Sequence, residues 1–144
     1  MKRLITLPLI LAAIVLIHPN EAFTQSGNTK VPVLKNGDNI QWTQIPNSPG
    51  GAMTSEFWTD PKTGAHAGLT KFPAGFKAPL HTHTNDTKIV VIKGAYIYNG
   101  TKYGPGSYLL VPGGQQHESG GAEDTESIFY LEQPGPFDLN VVQK

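Results

Sequence analysis

The chain has 144 residues, with 38% hydrophobic and 15% charged residues, 16 glycines, 12 prolines, no cysteine and a formal net charge of +0. That length holds one domain, and the composition excludes a long coiled coil, an acidic disordered tail and a disulfide-stapled mini-protein.

Lys2 and Arg3 precede an apolar run from Leu4 to Ile17, interrupted by Thr6 and Pro8 and closed by His18, Pro19 and Asn20. This is short for a membrane span and has the form of a signal-peptide core, so residues 1–22 read as an export signal cleaved near Ala22. An uncleaved N-terminal anchor is the alternative. The mature protein is then periplasmic or extracellular, with no stable membrane association after cleavage. Removing Lys2, Arg3 and Glu21 leaves nine lysines against ten acids and no arginine at all. Bidentate recognition of phosphate or guanine falls mainly to arginine, and the lysines form no stripe, so nucleic acid is excluded as a partner.

Residues 23–37 are polar and irregular and read as a flexible lead-in; residues 38–144 form the folded domain. In chain order, the predicted strands are Asn39–Gln44, Ser55–Thr59, Ala65–Phe72, Ala78–Thr84, Thr87–Lys93, Ala95–Tyr98, Lys102–Tyr103, Ser107–Val111, Gln116–Ser119, Ser127–Glu132 and Phe137–Val141. Turn clusters such as Pro73-Ala74-Gly75, Gly104-Pro105-Gly106 and Pro112-Gly113-Gly114 separate them. Asn99-Gly100 is a two-residue hairpin signal, because both residues tolerate the positive φ of a type I′ turn. Nothing in the mature sequence holds a 3.6-residue apolar period, so the fold class is all-β, a sandwich or barrel. Tyr96, Tyr98, Tyr103, Tyr108 and Phe129 are expected to pack in its core or between its sheets.

His81-Thr82-His83 lies on a predicted strand, where residues two apart share a face. Two imidazoles side by side can hold one metal ion, and His117, after the turn at Pro112, can supply a third from a neighbouring strand. Three neutral nitrogens suit Fe(II), Zn, Mn, Ni or Cu and leave coordination positions open. His66 shares a face with Thr70 and Phe72 and points inward. It reads as a hydrogen-bonded core or rim histidine, with a fourth ligand or proton shuttle as the alternative. Asp86 lies in a turn, as a candidate hydrogen-bond partner for a ligand histidine.

These residues resemble the cupin superfamily. Its first motif is matched by Gly75-FKAPL-His81-Thr82-His83-TND-Thr87-KIVVIK-Gly94, and its second by Gly106-SYLLV-Pro112-Gly113-Gly114-QQ-His117-ESG-Gly121. Thr87 stands where many cupins place a carboxylate ligand, and Gly121 where the second motif ends in Asn. The wording is most similar to small single-domain cupins related to the zinc-binding half of ChrR-type anti-sigma factors. The resemblance implies a double-stranded β-helix (jelly-roll) barrel and one divalent transition metal, Fe(II) or Zn foremost. It implies His81, His83 and His117 as the ligands, with His66, Asp86 and Thr87 as additional or supporting residues. The missing carboxylate favours a metal-dependent dioxygenase acting on a small chelating substrate. The alternatives are a non-catalytic zinc cupin that binds or senses a small molecule, and a barrel without metal. A homodimer through edge strands is expected.

Overall fold

The computed structural model describes residues 33–143 apart from 47 and 49. The expected export signal and most of the lead-in lie outside the described residues. Among the described residues eleven strands form two antiparallel sheets: β1 (Thr43–Gln44), β2 (Met53–Thr59), β3 (His66–Phe72), β4 (Lys77–Thr82), β5 (Thr87–Lys93), β6 (Tyr96–Tyr98), β7 (Thr101–Tyr103), β8 (Tyr108–Val111), β9 (His117–Gly120), β10 (Ser127–Gln133) and β11 (Asn140–Val141). One sheet runs β1-β2-β3-β10-β5-β8 and the other β11-β4-β9-β6-β7. Among the described residues no helix is long and apolar enough to cross a membrane.

Alternation decides which side chains enter the barrel. On β5, Thr87, Ile89 and Val91 are buried while Lys88 and Ile92 face out. Ile89, Val91, Tyr96, Leu109, Val111 and Phe129 form the main core cluster, and Phe72 joins it to a second one around Ala52, Phe76 and Ala78. The aromatic rings meet in favourable geometries: Phe72 stacks on Phe76 at 4.1 Å and meets Phe129 edge-on at 5.0 Å. Tyr96 and Phe129 are core, and Tyr98 and Tyr103 pack against it. Tyr108 differs from expectation. It points outward and is 60% exposed, because its neighbour Leu109 takes the inward position on a four-residue edge strand.

The two terminal strands are shorter than predicted, each for a local reason. Asn36 accepts from the Asp38 N–H and caps a 3-10 turn at Gly37–Asn39, so pairing begins only at Thr43. At the other end, residues 137–139 leave the sheet to border the barrel cavity, and pairing with β4 is confined to Asn140 and Val141.

Candidate metal centre

The site begins with a proline inside a strand. Pro79 has no N–H to give to β9, and the β4–β9 ladder slips there. Ala78 pairs with Ser119, but the next pair is His81 with His117, one residue out of the earlier register. The bulge therefore sets His81 directly across from His117. It also leaves the Pro79 carbonyl free to accept from Nδ1 of His81 at 2.6 Å.

His117 arrives through the turn Pro112-Gly113-Gly114, which is bound to the segment carrying His83. Gly114 N–H donates to the His83 carbonyl at 2.8 Å, and Gly113 N–H donates to Oδ1 of Asp86 at 2.8 Å. Only glycine fits this approach: a Cβ on Gly113 would lie 2.5 Å from the Thr84 carbonyl oxygen, and Gly114 has φ +77°. The paired glycines thus bring the two histidine-bearing segments together.

His81, His83 and His117 are all buried, and each offers a ring nitrogen within 4.8 Å of the others. Ring centres lie 4.2 Å apart for His81 and His117, 5.0 Å for His81 and His83, and 5.5 Å for His83 and His117. All three rings are anchored at Nδ1: His81 on Pro79 O, His117 on Gln115 O at 3.0 Å, and His83 on the carbonyl of Asp138. A carbonyl oxygen only accepts, so Nδ1 carries the proton and Nε2 keeps its lone pair in each neutral ring. Nε2 of His117 is buried with no partner. Burial drives the pKa of His81 down to about 4, partly opposed by the Pro79 hydrogen bond and deepened by the other two histidines. Burial likewise lowers that of His117. Neutral, oriented imidazoles with free lone pairs and an orphaned buried nitrogen are a donor set that can hold a divalent metal.

His81 and His83 open onto a cavity of about 670 Å³ between the sheets, with a mostly apolar wall that includes Phe72, Phe76 and Phe129. Its titratable lining groups are the two histidines, Tyr96 and Asp138. Burial pushes the Tyr96 phenol up to about 12, against the opposing Ser119 hydrogen bond, so it stays protonated and can donate. Burial raises the Asp138 pKa, but hydrogen bonds from Thr84 and Asn140, together with His83, outweigh it and the net shift is downward.

Thr87 is 2% exposed and lines the same cavity, its Oγ1 accepting from Gln133 Nε2 at 2.7 Å. Asp86 is spent on the Gly113 turn and supports the centre only through it. His66 points inward, but to a second cavity of about 300 Å³. Its Nδ1 sits 2.9 Å from Gly135 O and 3.2 Å from Gly64 O, and the cluster does not include it. Gly121, in place of Asn, is close-packed: a Cβ there would meet Phe72 Cβ and Ser127 Oγ, both at 3.2 Å.

Sequence reasoning missed Asp138, whose carbonyl fixes His83 and whose carboxylate accepts the Thr84 N–H at 2.9 Å. It lies 55 residues from His83, and no local spacing links them. Gln133 was missed because the predicted strand stops one residue short of it, at Glu132, whereas the observed strand runs to Gln133. Tyr98, expected as packing, stacks on His117 with ring centres 5.2 Å apart.

Residues 33–143 match a family described as a domain of unknown function (DUF4437). A curated relative from Arabidopsis thaliana, DNA damage-repair/toleration protein DRT102, is 33% identical over 107 residues, covering 70% of this chain and 32% of its own. The chain thus spans about a third of that relative's length. Among solved structures, an acetylacetone dioxygenase from Acinetobacter johnsonii is similar with a TM-score of 0.66 at 22% identity, covering 85% of each chain. A chain from the Rhodobacter sphaeroides SigE complex with the anti-sigma ChrR gives 0.56 at 19% identity, over 68% of this chain and 50% of that one. These likenesses establish the cupin fold.

Proposed function

The chain belongs to the cupin-type domain family of unknown function DUF4437, and on that premise we propose that it is an exported metal-dependent dioxygenase. In this reading His81, His83 and His117 hold one divalent transition metal, and the substrate is a small chelating molecule such as an enolised diketone or a catechol-like compound. The observation that carries the reading is the shared anchoring of the three rings: each gives Nδ1–H to a backbone carbonyl and keeps Nε2 for a ligand. The fold shared with the Acinetobacter johnsonii enzyme supports the reaction class as an analogy.

Bound there, the metal would supply Lewis acidity and, as Fe(II), redox chemistry with dioxygen as co-substrate. The protein's own part is to bind, orient and exclude water. The mostly apolar wall takes the substrate's hydrocarbon surface, and a volume of about 670 Å³ suits a small organic ligand. Phe137, 5.8 Å from His83 between ring centres, borders the cavity beside the histidines. The test is oxygen uptake by Fe(II)-reconstituted protein with a panel of β-diketones and catechols. Uptake is expected with at least one of them and should be lost in His81→Ala.

A second reading has one specific observation behind it. Among the described residues the carboxylate lining the cavity is Asp138, which is taken up by Thr84 and Asn140, so no free general base accompanies the metal. A zinc-holding cupin that captures or senses a small molecule without turnover fits that wall equally well. It would bind zinc tightly and consume no oxygen. Export belongs to the first 22 residues and is tested by fractionating cells that express the full chain. Homodimerisation is part of the same proposal; β8 offers the uncharged, exposed side chains of Tyr108 and Leu110 at a sheet edge.

A further inference from the structure

We propose that Gln133 and Thr87 form a neutral hydrogen-bonding pair that aims the Thr87 hydroxyl into the cavity as a donor to an anionic oxygen ligand on the metal. Thr87 is the binding residue and Gln133 the positioning residue. The proposal rests on the three-histidine metal reading and names the ligand class for that site.

Both side chains are out of solvent, Thr87 at 2% and Gln133 at 0% exposure. Gln133 Nε2 donates to Thr87 Oγ1 at 2.7 Å, filling one acceptor position of the hydroxyl. Its own hydrogen then needs an acceptor, and the described residues offer only the Asn85 carbonyl at 3.5 Å, the outer limit of a hydrogen bond. Thr87 faces the cavity from the sheet opposite β4, so that hydrogen is free to turn toward a ligand there.

The amide orientation follows from what each alternative would strand. As it stands, Gln133 Oε1 is buried without a partner. Turned round, Oε1 would take the Thr87 proton and leave an N–H₂ group buried and unpaired instead. Orphaned buried N–H groups are rarer in native proteins than under-satisfied oxygens. The donating orientation is therefore the better one, and it releases the hydroxyl hydrogen.

Charge selects the ligand. Three neutral imidazoles leave the double charge of a divalent ion uncompensated. The one carboxylate on the cavity wall, Asp138, is taken up by Thr84 and Asn140. Where a carboxylate ligand would leave room for a neutral molecule, a threonine hydroxyl favours an oxygen anion that accepts a hydrogen bond. An enolate or a carboxylate chelate meets both demands; a neutral nitrogen ligand meets neither.

The experiment uses protein loaded with Co(II), whose visible spectrum reports the ion's surroundings, titrated with acetylacetonate and with pyridine. Thr87→Val should bind acetylacetonate roughly ten-fold or more weakly, as expected for losing a hydrogen bond to a charged group. It should take up Co(II) and bind pyridine as the parent does, since coordinated pyridine has no acceptor left. Thr87→Ser should restore acetylacetonate binding, and Gln133→Met should weaken it with the Co(II) spectrum unchanged. Equal losses for both ligands, or none for either, would overturn the proposal, as would loss of Co(II) from Thr87→Val with retention in Thr87→Ser. Should Thr87→Val fail to fold, the contrast between Thr87→Ser and Gln133→Met decides. If the parent protein takes up no Co(II), the metal reading itself fails, and this proposal with it.

Discussion

The imidazole rings of this site owe their readiness to the carbonyls behind them. A free imidazole chooses between two tautomers, whereas a ring held at Nδ1 by a carbonyl has one. Acid therefore acts on the folded chain in a defined direction. His81 has its pKa lowered from 6.5 to about 4, chiefly by burial. Between those values the unfolded chain takes up a proton that the folded chain refuses, so the apo-protein should lose stability as pH falls from about 6.5 toward about 4. His117 is shifted the same way and adds to the slope. Thermal melts of metal-free protein across this window check the sign: a melting temperature that stays level or rises on acidification would contradict it. Asp138 gives a second expectation at this scale. Asp138→Ala keeps the carbonyl that holds His83 but removes the carboxylate's bonds to Thr84. Its metal affinity should drop by roughly 10-fold, the low end for groups that orient a ligand, as measured by chelator competition.

At the level of elements, two local irregularities build the centre: the bulge at Pro79 on β4, and the glycine turn between β8 and β9. Gly113→Ala would push a methyl against the Thr84 carbonyl and should destabilise the fold by about 1–3 kcal/mol. It should also disturb metal binding, because the same turn carries Gly114 onto His83. Core loss on the other sheet should behave differently. Phe129→Ala removes a 1%-exposed ring that touches Phe72 and Tyr96, and should cost about 3–5 kcal/mol in denaturant melts. These irregularities also mark where sequence reading stops. Alternation and turn residues gave β5 at its observed limits and most other strands to within two residues. The His81/His83 pair followed from the two-residue period. The bulge did not, since it depends on what a missing N–H does to a partner strand. The short β1 and β11 were misjudged for a similar reason, because an Asn cap and the anchoring of Asp138 override strand propensity there.

For the whole molecule, the barrel brings together residues far apart in the chain. His83 and Asp138, or Thr87 and Gln133, meet only because β4, β11, β5 and β10 surround one cavity. The three histidines were legible in the sequence through their motif spacing. Their supporting residues were not, because a carbonyl or an amide at long range leaves no periodic signal. His66 shows the converse: its inward direction was readable, but which of two cavities it enters was a matter of how β2, β3 and residues 135–137 close around it. Whether these three histidines hold a metal is decided by elemental mass spectrometry of the untagged protein beside a His81→Ala/His83→Ala variant. About one equivalent of iron or zinc in the parent and none in the variant is expected for one ion on three imidazoles. Equal metal content in the two proteins, or none in the parent even after reconstitution, would contradict it.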